Sequence, residues 1–170
     1  IGNTLQKISM TRVEQIIKEL NLEPHPEGGY YKETYRSEGS IPDGTLAEFK
    51  GERTFTTAIY FLLTTYVFSA FHKITSDEMW HHYDGSAIEL HMISPEGEHS
   101  IVIIGKDILN GEHPQYVVPA GYWFGSRIKG EEEFALLGCT VSPGFDFHDF
   151  VLAKQEELTQ NTSSFNLKKE

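Results

Sequence analysis

The order of apolar and polar residues predicts one helix near the start of the chain and many short strands after it. Within Ser9–Leu20, apolar side chains recur at helical spacing, at Val13, Ile16, Ile17 and Leu20. Ser9 or Thr11 can cap the start of this helix, and a turn-forming run begins at Pro24. From Gly29 onward apolar and polar residues alternate, which is typical of strands with one buried face.

The alternating part of the chain is divided by turn residues such as Asp84-Gly85 and Asn110-Gly111. The predicted strands are Gly29–Arg36, Thr54–Thr64, Val67–Ile74, Glu78–Tyr83, Ser86–Ile93, Ser100–Ile104, Gln115–Val118, Tyr122–Ile128, Glu133–Val141 and Phe145–Ala153. Many short strands at regular spacing are typical of an all-β sandwich or barrel. We expect one domain over residues 10–155, a leading segment 1–9 left over from expression cloning, and a polar tail over 156–170.

Composition and charge narrow the partners and the compartment. The 170 residues carry 14 Lys and Arg against 25 Asp and Glu, a formal net charge of −11. Nucleic-acid phosphates and anionic membrane surfaces repel such a chain, so we expect neither as a partner. No apolar run in the sequence reaches the ~18 residues of a membrane span. The single cysteine, Cys139, is predicted to be a buried core thiol, and a chain without disulfides suits the cytoplasm.

The candidate chemistry lies around one histidine and one glutamate. His72 shares a predicted strand face with apolar residues, namely Phe68, Ala70 and Ile74, so its side chain should point inward. On the next predicted strand, Glu78 shares a face with Trp80 and His82. If the two strands are antiparallel neighbours, His72 and Glu78 meet inside a barrel. A buried carboxylate costs several kcal/mol unless it is paired, so this pair is the predicted site.

The spacing around this pair resembles the first sequence motif of the cupins. That motif reads G-x5-H-x-H-x(3,4)-E-x6-G, and the chain has His72-x-Ile74-x3-Glu78-x6-Gly85. The spacing agrees from the first histidine of the motif to its last glycine. The resemblance implies the cupin fold, a jelly roll or double-stranded β-helix, with one short helix before it.

A second motif and three longer blocks extend the resemblance. The second cupin motif contains P-x-G-x2-H, and the chain has Pro119-x-Gly121-x2-Phe124. Three blocks resemble the small cupins often called cupin family 5, whose biochemical role is unsettled: His25–Tyr31, Asp77–Trp80 and Val141–Phe147. The resemblance spans roughly Leu20 to Leu152, and it implies a homodimer.

Two departures from the cupin motifs bear on metal binding. Metal-binding cupins use two histidines and a glutamate of the first motif and a histidine of the second. Ile74 and Phe124 stand at two of these four positions, and neither side chain can donate a lone pair. We therefore expect no resident cofactor. A divalent metal held by His72, Glu78 and His82 stays open as an alternative, and it would imply a metal-dependent oxygenase or isomerase.

The resemblance extends to cupin epimerases that work without metal on the carbon next to a carbonyl group. By this analogy His72 is the base, Glu78 orients it, and Tyr30 or Tyr83 returns the proton to a sugar or other small polar ligand. The alternative is a non-catalytic binding module, in which Trp80 stacks on the ligand and His72 and Glu78 fix its orientation.

Other polar and aromatic residues receive simpler interpretations. The residues expected to contact the ligand are Tyr30, Trp80, His82 and Phe124, although Trp80 fits a core position equally well. Three arginines are expected on the exposed surface: Arg36, Arg53 and Arg127. Four histidines are expected in turns or on outward faces, in contact with solvent: His25, His91, His99 and His113.

Overall fold

The computed structural model describes residues 9–154 and 158, so most of the predicted leading segment and polar tail lies outside it. Within these residues the chain forms one α-helix, α1 (Arg12–Glu19), and thirteen strands. The strands are β1 (Glu23–Pro24), β2 (Tyr30–Arg36), β3 (Ser40–Ile41), β4 (Arg53–Thr54), β5 (Thr57–Thr64), β6 (Ser69–Lys73), β7 (Asp77–Gly85), β8 (Ala87–Ile93), β9 (His99–Ile104), β10 (Gln115–Val118), β11 (Trp123–Lys129), β12 (Phe134–Ser142) and β13 (Val151–Leu152).

The helix begins and packs as its apolar spacing predicts. Thr11 caps it with a reciprocal pair of bonds: the Thr11 hydroxyl accepts from the Glu14 N–H at 3.2 Å, and the Glu14 carboxylate accepts from the Thr11 N–H at 2.8 Å. Its apolar side packs around Leu62 of β5, with Ile16 and Leu22 buried there. No helix in the described part of the chain has the length and apolarity needed to cross a membrane.

Two antiparallel sheets enclose the core. One has the strand order β1-β2-β5-β12-β7-β10 and the other β13-β6-β11-β8-β9, while β3 and β4 form a small separate pair. The buried faces alternate along the strands, and both sheets contribute to one apolar cluster that includes Phe61, Leu90, Phe124, Leu137 and Cys139. The predicted all-β jelly roll is confirmed, and Cys139 is the buried core thiol expected from its alternation.

Two predictions about the strands are wrong. β6 and β7 follow each other in sequence but lie in different sheets, so His72 and Glu78 are not on neighbouring strands. They approach from opposite sheets across the interior. The predicted strand Phe145–Ala153 is mostly irregular, because a 3-10 turn over Phe147–Asp149 interrupts it and only β13 pairs with β6. The Asp146 carboxylate accepts the His148 N–H at 2.8 Å and so stabilises that turn.

Candidate functional site

The interior of the jelly roll contains a cavity of about 530 Å³, a volume suited to a small organic molecule. Its apolar walls include four phenylalanines: Phe61, Phe145, Phe147 and Phe150. Its polar lining includes five side chains that we call the polar cluster: His25, Glu27, His72, Glu78 and Cys139. The cavity therefore offers an apolar surface to one part of a ligand and titratable groups to another.

A buried ion pair between Glu27 and His72 lies at the centre of the polar cluster. The Nε2 atom of His72 is 2.8 Å from Oε2 of Glu27, and the side chains are only 3% and 6% exposed. His72 Nδ1 is 2.8 Å from the carbonyl oxygen of Ala70, and the Ser69 hydroxyl donates to Oε1 of Glu27 at 2.9 Å. Both ring nitrogens of His72 therefore face acceptors, which assigns a proton to each of them.

The ionisation of the pair follows from competing effects. Burial alone would lower the pKa of His72, but the Glu27 carboxylate and its hydrogen bond raise it above its ordinary value. Burial alone would raise the pKa of Glu27, but His72 and the donor from Ser69 lower it. His72 is accordingly an imidazolium and Glu27 a carboxylate, so His72 has no free lone pair.

Glu27 reaches the cavity because the turn between β1 and β2 docks against β6. The Ala70 N–H donates to the Glu27 carbonyl oxygen at 2.8 Å. Gly28 and Gly29 follow with φ angles of 105° and 79°, a backbone conformation that favours glycine. A Cβ atom on Gly29 would lie 2.7 Å from the Leu62 carbonyl oxygen, so the close approach itself requires glycine.

Glu78 is a carboxyl whose burial favours its neutral form. Burial raises its pKa to about 7, with the Glu27 carboxylate adding to the rise and His72 opposing it. The Cys139 thiol donates a hydrogen bond to the Glu78 carboxylate. Burial and the Glu78 charge raise the pKa of Cys139 well above its ordinary value, so Cys139 is a protonated thiol rather than a nucleophile.

His25 belongs to the site, and the prediction that solvent surrounds it is wrong. Its side chain is 8% exposed, and its ring meets the Tyr31 ring edge-on at a centroid distance of 4.6 Å. Its Nδ1 accepts the Glu27 N–H at 3.2 Å, which assigns the ring proton to Nε2. Burial lowers the pKa of His25 despite the nearby Glu27 carboxylate, so the ring is neutral.

Two of the predicted ligand contacts lie elsewhere. Tyr30 packs against the helix side of the six-stranded sheet, and Tyr31 lines the cavity in its place. His82 shares the inward face of β7, but its Nε2 lies 2.8 Å from the Ser86 carbonyl oxygen, away from the cavity lining. The predictions of Tyr30 and His82 as cavity residues are therefore wrong.

Trp80 and Phe124 are core residues that pack against side chains of the cavity lining. Each is 1% exposed, and their rings meet edge-on at 6.3 Å. Trp80 also meets Phe61 edge-on at 5.7 Å, so Phe61 rather than Trp80 presents its ring to the cavity. Phe124 contacts the His72 ring at a centroid distance of 4.1 Å. Of the two interpretations of Trp80, the structure supports the core position. The prediction of Phe124 as a ligand contact is wrong, because its ring is buried in the core and does not line the cavity.

The residues present do not fit the metal of the metal-binding cupins. Ile74 and Phe124 occupy two ligand positions with apolar side chains, and both nitrogens of His72 are hydrogen-bonded. His82 does not line the cavity, and its Nε2 is hydrogen-bonded to the Ser86 carbonyl oxygen, so it does not replace them. Among residues 9–154 and 158, no group of three or more His, Cys, Asp or Glu side chains is arranged to hold a metal ion.

A buried arginine anchors the aromatic wall. Arg53 donates to both carboxylate oxygens of Asp149, at 2.7 Å and 2.8 Å, and is 5% exposed. Since Asp149 lies between Phe147 and Phe150, this pair holds two wall residues against the sheet. The prediction of Arg53 as an exposed arginine is wrong. Arg36 lies at the cavity, where it pairs with Glu33, while Arg127 pairs with Glu89 on the outer face.

A jelly roll that encloses a histidine–glutamate cluster in its interior is the architecture of a cupin. The chain belongs to the family described as Cupin superfamily (DUF985), whose model matches residues 14–153. This result confirms the family resemblance that the two motifs and the three sequence blocks carry.

Three relatives are similar in sequence over most of this chain, and two of them have solved structures with a similar fold. Protein SO0799 from Shewanella oneidensis is 44% identical with a TM-score of 0.78, over 89% of this chain and 90% of that one. A hypothetical protein from Leishmania major is 36% identical with a TM-score of 0.80, over 88% and 92% of the two chains. Uncharacterized protein YML079W of Saccharomyces cerevisiae is 34% identical over 155 residues, 85% of this chain and 77% of the relative.

Proposed function

We propose that this chain is a metal-independent enzyme of the isomerase or epimerase type, which moves a proton on a small polar molecule such as a sugar. The observation that carries the proposal is the buried Glu78 carboxyl, which lines the cavity with a pKa of about 7. A general acid–base group works best when its pKa lies near the working pH, because it can then both accept and return a proton.

In this proposal His72 has a different role from the base that the epimerase analogy implies. Its two nitrogens donate to Ala70 and Glu27, so it cannot accept a proton from a substrate. Its fixed positive charge instead favours negative charge that develops on the substrate. Glu27 positions His72 and keeps it charged.

His25 supplies the complementary donor. A neutral imidazole with its proton on Nε2 can donate a hydrogen bond to a carbonyl oxygen without losing the proton. The proposed step starts when the Glu78 carboxylate takes the proton from the carbon next to that carbonyl. The electron pair of the C–H bond moves to the carbonyl oxygen, where the His25 donor and the His72 charge stabilise it. In an aldose, the hydroxyl proton of the deprotonated carbon then passes to that oxygen, and Glu78 returns its proton to the former carbonyl carbon. The product is the ketose, and Glu78 is again a carboxylate.

A binding module without catalysis is the second candidate, and the aromatic walls favour it. Phe61, Phe145, Phe147 and Phe150 give the cavity a large apolar area that suits a planar ligand. The two candidates share the cavity and differ in whether a bound molecule exchanges a proton.

Solvent deuterium separates the two candidates. The protein is incubated in D₂O with a panel of aldoses, ketoses and 2-keto acids, and deuterium on carbon is followed by NMR. We expect exchange of the hydrogen next to the carbonyl for at least one compound, with Glu78→Gln slower by about 100-fold or more. Glu23→Gln, which changes an exposed carboxylate of the cavity lining, is the matched control and should exchange normally.

Two outcomes would overturn the enzyme proposal. If a compound binds but takes up no deuterium, the binding module is the better description. If Glu78→Gln exchanges as fast as the unaltered protein, Glu78 is not the acid–base group.

Homodimerisation and a cytoplasmic location stay predictions. A free buried thiol at Cys139 is consistent with a reducing compartment. Size-exclusion chromatography with light scattering measures the oligomeric state directly.

A further inference from the structure

An arginine and a glutamate that pair with each other lie at the exposed side of the cavity. Arg36 and Glu33 both line the cavity, and their side chains are 44% and 40% exposed, whereas Glu78 is 8% exposed. Arg36 Nε donates to Oε1 of Glu33 at 2.9 Å, and Arg36 Nη2 donates to Oε2 at 2.8 Å. Nη2 also donates to the Phe145 carbonyl oxygen at 3.1 Å, which holds the guanidinium in one orientation.

A β-bulge in β2 brings these two side chains to the same face of the sheet. The register with β5 shifts between Glu33 and Tyr35, so Thr34 is the extra residue. In a regular strand two residues three positions apart point to opposite faces, and the extra residue turns Arg36 to the face of Glu33. The Thr34 hydroxyl donates to the Ala58 carbonyl oxygen at 3.2 Å and so stabilises the bulge.

The cations on the cavity face are already matched by carboxylates. His72 pairs with Glu27, and Arg36 pairs with Glu33. The lining has three more acidic side chains: Glu23, Glu78 and Asp146. An anionic group of a ligand would therefore meet carboxylates without an excess of positive charge to attract it. The lining suits a ligand that carries no negative charge.

Two further basic residues that border the cavity do not change this balance. Lys32 is paired in register with Tyr60, which packs toward the helix, so the Lys32 side chain belongs to the outer face of the sheet. His148 Nδ1 lies 2.6 Å from the Asp146 carboxylate, so a positive charge on that ring is balanced.

The Arg36–Glu33 pair can still bond to hydroxyl groups. Among residues 9–154 and 158, the two N–H groups of Arg36 Nη1 have no hydrogen-bond partner. Each Glu33 oxygen accepts one bond from Arg36 and has a further lone pair. A hydroxyl group both donates and accepts, so neighbouring hydroxyls of a sugar can accept from Nη1 and donate to Glu33.

We infer that the substrate is an uncharged aldose or ketose, whose hydroxyl groups away from the carbonyl are held by Arg36 and Glu33. This inference rests on the proposed function, in which the carbonyl end of the sugar lies beside Glu78 and His25. The sugar then extends from the buried side of the cavity to its exposed side. A phosphate or carboxylate at the far end of the sugar would face Glu33, whose charge repels it.

Sugars that differ only by a phosphate test this inference. Glucose and glucose 6-phosphate, fructose and fructose 6-phosphate, and ribose and ribose 5-phosphate are titrated into the protein, and protein NMR shifts give the dissociation constants. We expect at least one uncharged sugar to bind at least about tenfold tighter than its phosphate. Arg36→Gln should weaken the binding of that sugar about tenfold, because hydrogen bonds to a charged group are lost. Arg127→Gln breaks the corresponding pair with Glu89 on the outer face, so it is the matched control and should bind the sugar normally.

Replacing Glu33 by glutamine should change the preference between the two kinds of sugar. Glu33→Gln keeps the size of the side chain and leaves the Arg36 charge unmatched. The affinity for the sugar phosphate relative to the uncharged sugar should therefore rise at least about fivefold. Glu89→Gln leaves Arg127 unmatched in the same way outside the cavity, and it should not change this ratio.

The outcomes separate this inference from the proposed function. Tighter binding of a sugar phosphate than of its uncharged sugar would overturn the inference, as would unchanged affinity in Arg36→Gln or an unchanged ratio in Glu33→Gln. Deuterium exchange in the bound phosphate would then still support the enzyme. An uncharged sugar that binds as expected but takes up no deuterium would overturn the enzyme and leave the assignment of Arg36 and Glu33 as ligand contacts. If no uncharged sugar of the panel binds, the inference is wrong.

Discussion

Replacing Glu78 by glutamine should stabilise the protein at high pH and leave its stability almost unchanged at low pH. Glutamine has nearly the same size and stays neutral, so the variant removes only the ionisation of a buried carboxyl. The pKa of Glu78 is about 7 in the folded protein against an ordinary value of 4.5. At 1.36 kcal/mol per pH unit, this interval corresponds to about 3 kcal/mol.

The sign follows from proton binding. Because the folded state binds this proton more tightly than the unfolded state, the Glu78 contribution to the free energy of unfolding is greatest below about pH 4.5. The stabilising contribution of Glu78 falls as the pH rises from about 4.5 to about 7, and it does not change further above pH 7. The Glu78→Gln variant does not lose this stability. Above pH 7 its free energy of unfolding should therefore be higher than that of the unaltered protein by up to about 3 kcal/mol.

Urea unfolding of both proteins at several pH values between about 5 and 8.5 measures the difference. Glu89→Gln is the matched control. Burial alone would raise the pKa of Glu89, but the hydrogen bonds from Arg127 and His91 outweigh it and lower the pKa below its ordinary value. The contribution of Glu89 to the free energy of unfolding is therefore lost as the pH falls. That variant should lose stability at neutral pH. A stability difference between Glu78→Gln and the unaltered protein that does not change with pH would refute the reasoning.

Three further substitutions test the framework around the site. Arg53→Met should cost about 3 kcal/mol because it leaves the buried Asp149 carboxylate without its partner, and amide hydrogen exchange should quicken over the wall segment. Gly85→Ala should cost at least about 2 kcal/mol, since φ is 80° there and the new Cβ would meet the Phe134 carbonyl oxygen; thermal unfolding measures it. Thr11→Ala should cost about 1 kcal/mol in urea unfolding, because the helix loses its cap.

Local patterns predict the elements because alternation and helical spacing are properties of neighbouring residues. The predicted strand Glu78–Tyr83 lies within β7, and Gln115–Val118 coincides with β10. Local patterns do not predict which strands pair with each other. His72 and Glu78 do meet in one cavity, but from opposite sheets, because sequence order does not fix which strands pair.

The missed part of the site depends on contacts between distant segments. Glu27 and His25 read as turn residues, and they become buried only because the loop carrying them docks on β6. The two glycines that follow Glu27 are the signal in the sequence. A glycine pair indicates a tight turn whose backbone packs closely against another segment. The choice between Tyr30 and Tyr31 depends on the phase of β2, which the same turn sets.

The ionisation of Glu78 in the native protein tests the central claim most directly. In protein labelled with ¹³C at the side-chain carboxyl of glutamate, the Glu78 resonance is identified by its loss in Glu78→Gln and followed from about pH 5 to 9. A midpoint of about 7 is the predicted result, with the carboxyl protonated at pH 5.5. A carboxyl that is already fully ionised at pH 5.5 would contradict the account, because Glu78 could then not both accept and return a proton near neutral pH.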